Sequence, residues 1–332
     1  MQEKEMTMRE ALNLALDEAL QADDRVFLLG EDIADPGASG PTAGLSTKYG
    51  YDRVLDTPIS EAAIVGAAIG AAIDGLLPVA EIMIMDFIGI AADQLINNAA
   101  KLRFMTGGRT TAPITIRTQV YAGLATGATH SQSLEAWFMH IPGMKVIVPS
   151  TPRDGKGLLT SAIFDQDPCL FVETIRLQGK KGPVPVEPGF SIPLGQADIK
   201  RTGTDVSLIG YGRSVHEALA AAAILADQGV SAEVVDLRTL VPLDVETIVE
   251  SVSRTRRAVI VHDAVQFAGP GAEIAAILQS ELFGELVAPI ERVGARFVPN
   301  PAAAALEAQV YPAAAGIAEA AQRTLQRTKV HG

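Results

Sequence analysis

The chain opens on a helical period. From Thr7 it reads TMREALNLALDEALQAD, with Leu12, Leu16 and Leu20 on one side and Ala15 and Ala19 beside them. Apolar residues recurring at this spacing make one face of a helix, and Thr7 followed by Glu10 is a capping-box signature. The apolar run at 26–30 predicts a buried strand. Glu31 and Asp32 stand at its C-terminal end, where open α/β sheets place ligands. Residues 36–44 predict a loop. The alternation then repeats, with strands at 54–55, 78–85, 114–117, 146–148 and 170–173 and helices at 60–74, 86–105, 133–140 and 153–164. Strands alternating with helices of this length argue for a parallel sheet covered on both faces.

Between residues 178 and 194 the pattern changes. GKKGPVPVEPGFSIP carries four prolines and no helical period, and reads as a linker. The alternation then restarts. Strands are predicted in DVSLIGYG, in SAEVVDLRT, at 258–262 and at 290–293, and helices in RSVHEALAAAAILADQG, at 244–252, at 271–282 and from about 313 to 328. The expected organisation is a first α/β domain over 1–178, a linker over 179–198 and a smaller α/β domain over 199–332.

Composition narrows the function classes. The 332 residues are 48% hydrophobic and 20% charged, enough apolar content for a buried core. Lys and Arg number 27 against 39 Asp and Glu, a formal net charge of −12, which argues against nucleic-acid binding and leaves room for basic protein partners. The one cysteine, Cys169, forms no internal disulfide and points to a reducing compartment. The first residues lack a signal-peptide pattern, and the longest apolar run, 62–73, is too short to span a bilayer; the expectation is a soluble cytoplasmic protein.

Few residues suggest chemistry. Glu61 is one carboxylate at the start of a helix, followed by twelve apolar residues. It reads either as a first-turn acid behind a Ser60 cap, or as a carboxylate in an apolar site sharing a proton with a ligand. Gly66 and Gly70, flanked by alanines, give a face of small side chains suited to tight helix–sheet packing or to a subunit interface. His130 lies in a glycine-containing loop, beside Ser131 and Gln132, and suits proton transfer or oxyanion stabilisation; a surface histidine is the plain alternative. His140 reads as a turn residue, His262 as a strand end facing the ligand edge, His216 as helical and His331 as tail. None has the spacing of a zinc site. GYG at 210–212 lacks the third glycine of a dinucleotide fingerprint and reads as a strand-to-helix turn.

Four long runs carry a resemblance: LDTPISEAAIVGAAIGAA, EIMIMDFIGIAADQLINNAAK, HSQSLEAWFMHIPGMKVIVPSTPRDGKGLL and VVDLRTLVPLD. They resemble the β subunit of thiamine-diphosphate-dependent 2-oxo acid dehydrogenases, the pyruvate, branched-chain and acetoin group, over nearly the whole chain. EIMIMDF, FMTGG and IRT look nearer to the acetoin and bacterial pyruvate types. The resemblance implies a transketolase-like fold, with a pyrimidine-binding domain followed by a transketolase C-terminal domain. It implies that Glu61 binds the aminopyrimidine of thiamine diphosphate, the shared proton favouring the tautomer that activates the thiazolium carbon. It also implies that Phe87 stacks on that ring, that Ile59 and Met83 line the pocket, and that His130 stands near the reacting substrate. A potassium ion is implied on carbonyls at Ile114, Ala162, Ile163, Asp165 and Asp167.

The magnesium–diphosphate motif, GDG with a downstream Asn, is absent. The resemblance therefore implies a separate α subunit that brings magnesium and the diphosphate half, in a heterotetramer of two α and two β chains. It further implies docking to a dihydrolipoyl acyltransferase core and a 2-oxo acid or acetoin as substrate. Departures from the family pattern fall at 174–177, 262–274 and 298–312 and bear on substrate and docking partner. Two other readings stand beside it: a repurposed transketolase-type carboligase or decarboxylase subunit without a lipoyl core, and a non-catalytic subunit.

Overall fold

The computed structural model describes residues 2–34 and 40–326. Residues 36–39 of the expected loop, the last two residues of the expected C-terminal helix and His331 lie outside the described residues. The chain divides into two compact units, Met1–Tyr121 with Trp137–Leu194, and Ala122–Ala136 with Gly195–Gly332.

In the first unit, β1 (Glu3–Thr7) leads into α1 (Met8–Ala22). The capping box forms: the Glu10 amide donates to Thr7 Oγ1 at 3.2 Å, and the Thr7 amide to the Glu10 carboxylate at 2.7 Å. There follow β2 (Val26–Gly30), α2 (Leu45–Tyr49), β3 (Val54–Asp56), α3 (Glu61–Ile73), β4 (Leu77–Ile84), α4 (Ala100–Met105), β5 (Thr115–Val120), α5 (Glu135–Met139, whose first two residues group with the second unit), β6 (Lys145–Ile147), α6 (Pro152–Ile163), β7 (Cys169–Thr174) and β8 (Lys181–Pro185). Six strands of this unit are hydrogen-bonded in the order β6-β7-β5-β4-β2-β3, with every pairing parallel. Leu12 and Leu16 of α1 and Leu158 and Leu159 of α6 join Val26, Leu28, Val79 and Phe171 of the sheet in one buried cluster. The leucine face read from the sequence is thus the face that α1 buries.

Two expectations need correction here. The helix expected over 86–105 is broken into a 3-10 turn at Met85–Gly89, a π-helical stretch at Gln94–Ala99 and then α4. Polar side chains bond locally along it: Asn97 Nδ2 donates to Asp93 Oδ1 at 2.7 Å, and Asn98 Nδ2 to Gln94 Oε1 at 3.2 Å. The proline-rich stretch read as a linker also has structure. Its β8 pairs antiparallel with β1 in a two-stranded ribbon, with Pro183 opposite Glu5 and Pro185 opposite Glu3. A buried Lys156 Nζ fastens it, donating to Glu18 Oε1 at 2.7 Å and to the carbonyl of Pro185 at 2.9 Å. Proline is tolerated because the ribbon has only two strands and each keeps an edge free.

The second unit comprises β9 (Asp198–Arg201), β10 (Val206–Gly210), α7 (Arg213–Ala226), β11 (Ala232–Asp236), β12 (Thr239–Val241), α8 (Val245–Thr255), β13 (Ala258–Val265), α9 (Pro270–Glu281), β14 (Glu291–Ala295), α10 (Ala304–Glu307) and α11 (Ala314–Gln326). Its sheet runs β14-β13-β10-β11-β9, parallel except for the β9 edge. Alanines of α7 and α11 pack against valines of β10, β11 and β13. The segment Ala122–Ala136, which the sequence boundary left in the first domain, groups with this unit.

Gly30, at the ligand end of β2, lies opposite Glu81 of β4. A Cβ there would stand 2.8 Å from the Glu81 carbonyl oxygen and 3.0 Å from its Cβ. Gly30→Ala should therefore lower the unfolding free energy by about 1–3 kcal/mol, as overpacking does. Urea titration checks this, and an unchanged midpoint would show that β2 and β4 can part without cost.

Candidate functional site

The C-terminal ends of the parallel strands in the first unit form an acidic edge. A cleft of about 500 Å³ opens there, walled by Arg9, Glu31, Asp32, Glu81, Met83, Gln119, Tyr121 and Gln178, among others. Asp32 holds a left-handed backbone, φ 53°, immediately after the turn out of β2. Burial raises the pKa of the Glu31 carboxyl, and the nearby Glu61 and Asp32 charges raise it further. The place of Glu31 at a strand end was legible in the sequence; its coupling to Glu61 needed the fold.

Beneath the cleft lies a buried charge network that the sequence did not reveal. Arg117 of β5 has 1% of its side chain exposed. Its Nη1 donates to Glu81 Oε2 at 2.6 Å and its Nε to Glu173 Oε1 at 2.8 Å. Nη2 also lies 2.6 Å from that Glu173 oxygen, but off the direction of its own N–H bonds. Gln178 donates to the other Glu173 oxygen at 2.7 Å. Burial pushes the Glu173 carboxyl up, against the pull of Arg117. Such a trio is stable only while every charge keeps its partner.

Glu61 is the first residue of α3 and is buried, with 5% exposed. Ser60 makes no side-chain capping bond, so the expected cap is absent. The Glu61 side chain likewise has no hydrogen bond or ion pair to another described residue; its charged neighbour is Glu31. Met83 opens into the acidic cleft. Phe87, in the 3-10 turn after β4, is half-buried, and Ile59 is 81% exposed. A buried carboxylate at a helix start, with apolar surface left uncovered beside it, is the donor set that a protonatable aromatic ring would need.

His130 belongs to the second unit. It is half-buried, with Nδ1 3.0 Å from Thr129 Oγ1. Ser131 and Gln132, next to it, line a second cleft of about 330 Å³ with Leu134, Asp263, Phe297 and Tyr311. The loop ends at Glu135, whose carboxylate accepts from the Tyr211 hydroxyl at 2.8 Å. Tyr211 stacks on His262, the ring centroids 6.3 Å apart. His262 lies inside β13 and is wholly buried, not at a ligand edge as its sequence context suggested. Its Nδ1 is 2.9 Å from the Ala264 carbonyl, and burial pushes the imidazole down to about 4. GYG at 210–212 is the turn from β10 to α7.

Of the carbonyl set for potassium, Ala162, Ile163, Asp165 and Asp167 fall at the end of α6 and in the turn to β7. Ile114 joins them through a 2.9 Å bond from the Cys169 amide to its carbonyl. The two carboxylates are already engaged, Asp165 with Lys145 Nζ at 2.6 Å and Asp167 with Arg103 Nε at 2.6 Å. Of the backbone oxygens, those of Ile114 and Ala162 already accept the Cys169 and Asp165 amides, at 2.9 and 3.2 Å. Among the described residues no cluster of three His, Cys, Asp or Glu side chains could hold a metal ion.

Burial pushes the Glu135 carboxyl up to about 7, from an ordinary 4.5. The unfolded chain therefore loses this proton first, and Glu135 makes stability fall as pH rises from about 4.5 to 7, with no further change above. His262, whose value is lowered, acts in the opposite sense between about 4 and 6.5. Comparing Glu135→Gln with the parent cancels the histidine. The variant should gain relative stability by about 1.4 kcal/mol per pH unit across the Glu135 window. Denaturant unfolding from pH 5 to 8 measures it; a difference independent of pH would contradict the assignment.

Residues 4–179 match the transketolase pyrimidine binding domain family, and residues 195–317 the transketolase C-terminal domain family. The chain is 47% identical to the acetoin:2,6-dichlorophenolindophenol oxidoreductase subunit beta of Cupriavidus necator, covering 98% of this chain and 99% of that one. It is 45% identical to the mitochondrial pyruvate dehydrogenase E1 component subunit beta-2 of Oryza sativa subsp. japonica, covering 98% and 87%. A solved split-gene transketolase, an inactive beta4 tetramer, shares the fold at 22% identity with a TM-score of 0.79, covering 98% of this chain and 100% of that one. With both domains matched and identity this high over almost the full length, the chain belongs to the thiamine-dependent family of pyruvate and acetoin dehydrogenase E1 β subunits.

Proposed function

We propose that this chain is the pyrimidine-holding half of a thiamine-diphosphate enzyme that cleaves a 2-oxo acid or acetoin. A separate α subunit would bring magnesium and the diphosphate end, in a tetramer of two chains each. The acyl group would pass to the lipoyl group of an acyltransferase core. The observation that carries the reading is Glu61: a buried carboxylate at a helix start, unbonded to any described side chain, beside Glu31. When bound, thiamine diphosphate supplies a nucleophilic thiazolium carbon that opens the bond next to the substrate carbonyl.

Glu61 would hold the pyrimidine ring nitrogen and exchange a proton with it. Phe87 would stack on the ring, with Ile59 and Met83 against its edges. His130 would serve the substrate and acyl-transfer steps. Potassium, if bound, would rest on the carbonyls of Ile114, Ala162, Ile163, Asp165 and Asp167 and stiffen the turn from α6 to β7. Uncovered apolar side chains support a partner chain: Ile59, Ile90, Phe104 and Met105 are each at least 60% exposed. No described helix is long and apolar enough to cross a membrane.

Glu61→Gln keeps volume and one hydrogen bond but cannot exchange the proton. In the enzyme assembled with its α partner, deuterium exchange at the thiazolium carbon should fall by roughly 10²–10⁴-fold. Near-normal exchange would return Glu61 to the role of a first-turn helix acid. The small-residue face of α3 has its own test. Gly70 is exposed, and a Cβ there meets nothing within 4 Å in this subunit. Gly70→Leu should leave the isolated chain folded and weaken tetramer assembly by light scattering; an intact tetramer would exclude this face as the contact.

A further inference from the structure

The loop that carries His130 has no regular structure from Ala122 to Leu134. Its shape comes instead from side chains of residues 300–311. Glu307, the last residue of α10, is 2% exposed. One of its oxygens accepts the Gly123 amide at 3.0 Å and the other the Ala125 amide at 2.6 Å. Both amides belong to left-handed residues, Gly123 at φ 82° and Ala125 at φ 56°. For alanine that conformation is strained and persists only where surrounding bonds over-determine it. At the far end, the Ser131 carbonyl accepts from Asn300 Nδ2 at 2.9 Å and from the Tyr311 hydroxyl at 2.8 Å. Between these anchors, Thr126 Oγ1 donates to the carbonyl of His130 itself at 2.8 Å.

We propose that Glu307, with Asn300 and Tyr311, is a clamp that positions His130 for the reaction. The proposal rests on the role given to His130 above. A buried carboxylate is costly, and packing alone would be served as well by an apolar side chain. What only a carboxylate offers is two acceptor oxygens aimed at two backbone N–H groups of one turn, in charge-assisted bonds. Those bonds fix a left-handed turn five residues before His130, and the Ser131 anchors fix the residue after it. The backbone that carries the imidazole is thus held from both sides. Glu307 is a positioning residue in this sense.

Glu307→Gln is the test, because an amide keeps one acceptor and turns an N–H₂ towards the other backbone N–H. In the assembled holoenzyme, amide hydrogen exchange of the peptide spanning 122–131 should accelerate by about tenfold, the effect of losing one such bond. Turnover should fall by about 10–100-fold through misplacement of the imidazole, with deuterium exchange at the thiazolium carbon unchanged. In a His130→Ala background the same substitution should add no further loss. Tyr311→Phe, which removes one hydroxyl at the other end, should give a smaller loss with the same pattern, and guards against a misfolded Glu307 variant. Unchanged peptide exchange would overturn the clamp. Losses that multiply with His130→Ala would make Glu307 merely structural and overturn its positioning role. Full turnover in His130→Ala alone would overturn the assignment of His130, and with it the purpose of the clamp, whatever the peptide exchange shows.

Discussion

Arg117 is the interaction on which the first unit's ligand edge depends. It sits on β5 between β4 and β7 and takes a carboxylate from each, Glu81 on one side and Glu173 on the other. Three adjacent strands are therefore tied together at the level where the cleft begins. One cation shared by two carboxylates leaves the edge with an excess of negative charge, to which Glu31, Asp32 and Glu61 add. Removing the arginine would leave two acids facing each other in a poorly solvated place, where like charges repel strongly. The close approach of Gly30 to Glu81 belongs to the same arrangement, since it sets how near β2 comes to the acid that Arg117 holds.

An acidic, half-desolvated edge has a definite chemical character. It raises proton affinity, as the upward shift of Glu31 records. A carboxylate in such surroundings is a poor permanent anion and a good proton-sharing partner for a basic ring nitrogen. The second unit solves a different problem. There the irregular loop bearing His130 has no ladder to hold it, and side chains bond the Gly123 and Ala125 amides and the His130 and Ser131 carbonyls instead. Glu135, Tyr211 and Glu307 are all buried and polar; Glu307 uses both its oxygens, while Glu135 pairs one with the Tyr211 hydroxyl and its other oxygen has no hydrogen-bond partner among the described residues. Their burial makes these bonds strong and makes an unmatched substitution expensive.

Much of this was legible from the residues. The α1 helix and its capping box follow from local spacing, and so do the strands at Val26–Gly30 and Cys169–Thr174, because hydrophobic periodicity and capping act within a few residues of each other. Glu31 and Asp32 at a strand end were visible for the same reason. The breaks within 86–105 were not, because the apolar pattern looks continuous there; in the fold Asn98 Nδ2 bonds the backbone carbonyl of Asp93, a contact that competes with the helix ladder. Strand β8 was hidden by its prolines, and it forms because β1, far away in sequence, offers it an edge.

The sequence by itself determined the alternation of strands and helices, the family likeness and the identity of Glu61 and His130 as the residues to watch. Those depend on local period and on motifs a few residues long. Only the tertiary structure decided which charges are paired and which are not: Arg117 with two acids, the Glu61 carboxylate with none among the described residues, Glu307 with two amides more than 180 residues away. It also decided that His262 is a buried core ring and not an edge residue. The physical reason is that pairing and desolvation are properties of distance in space. Proton affinity and strain follow from them, and no sequence spacing encodes them until the chain has closed on itself.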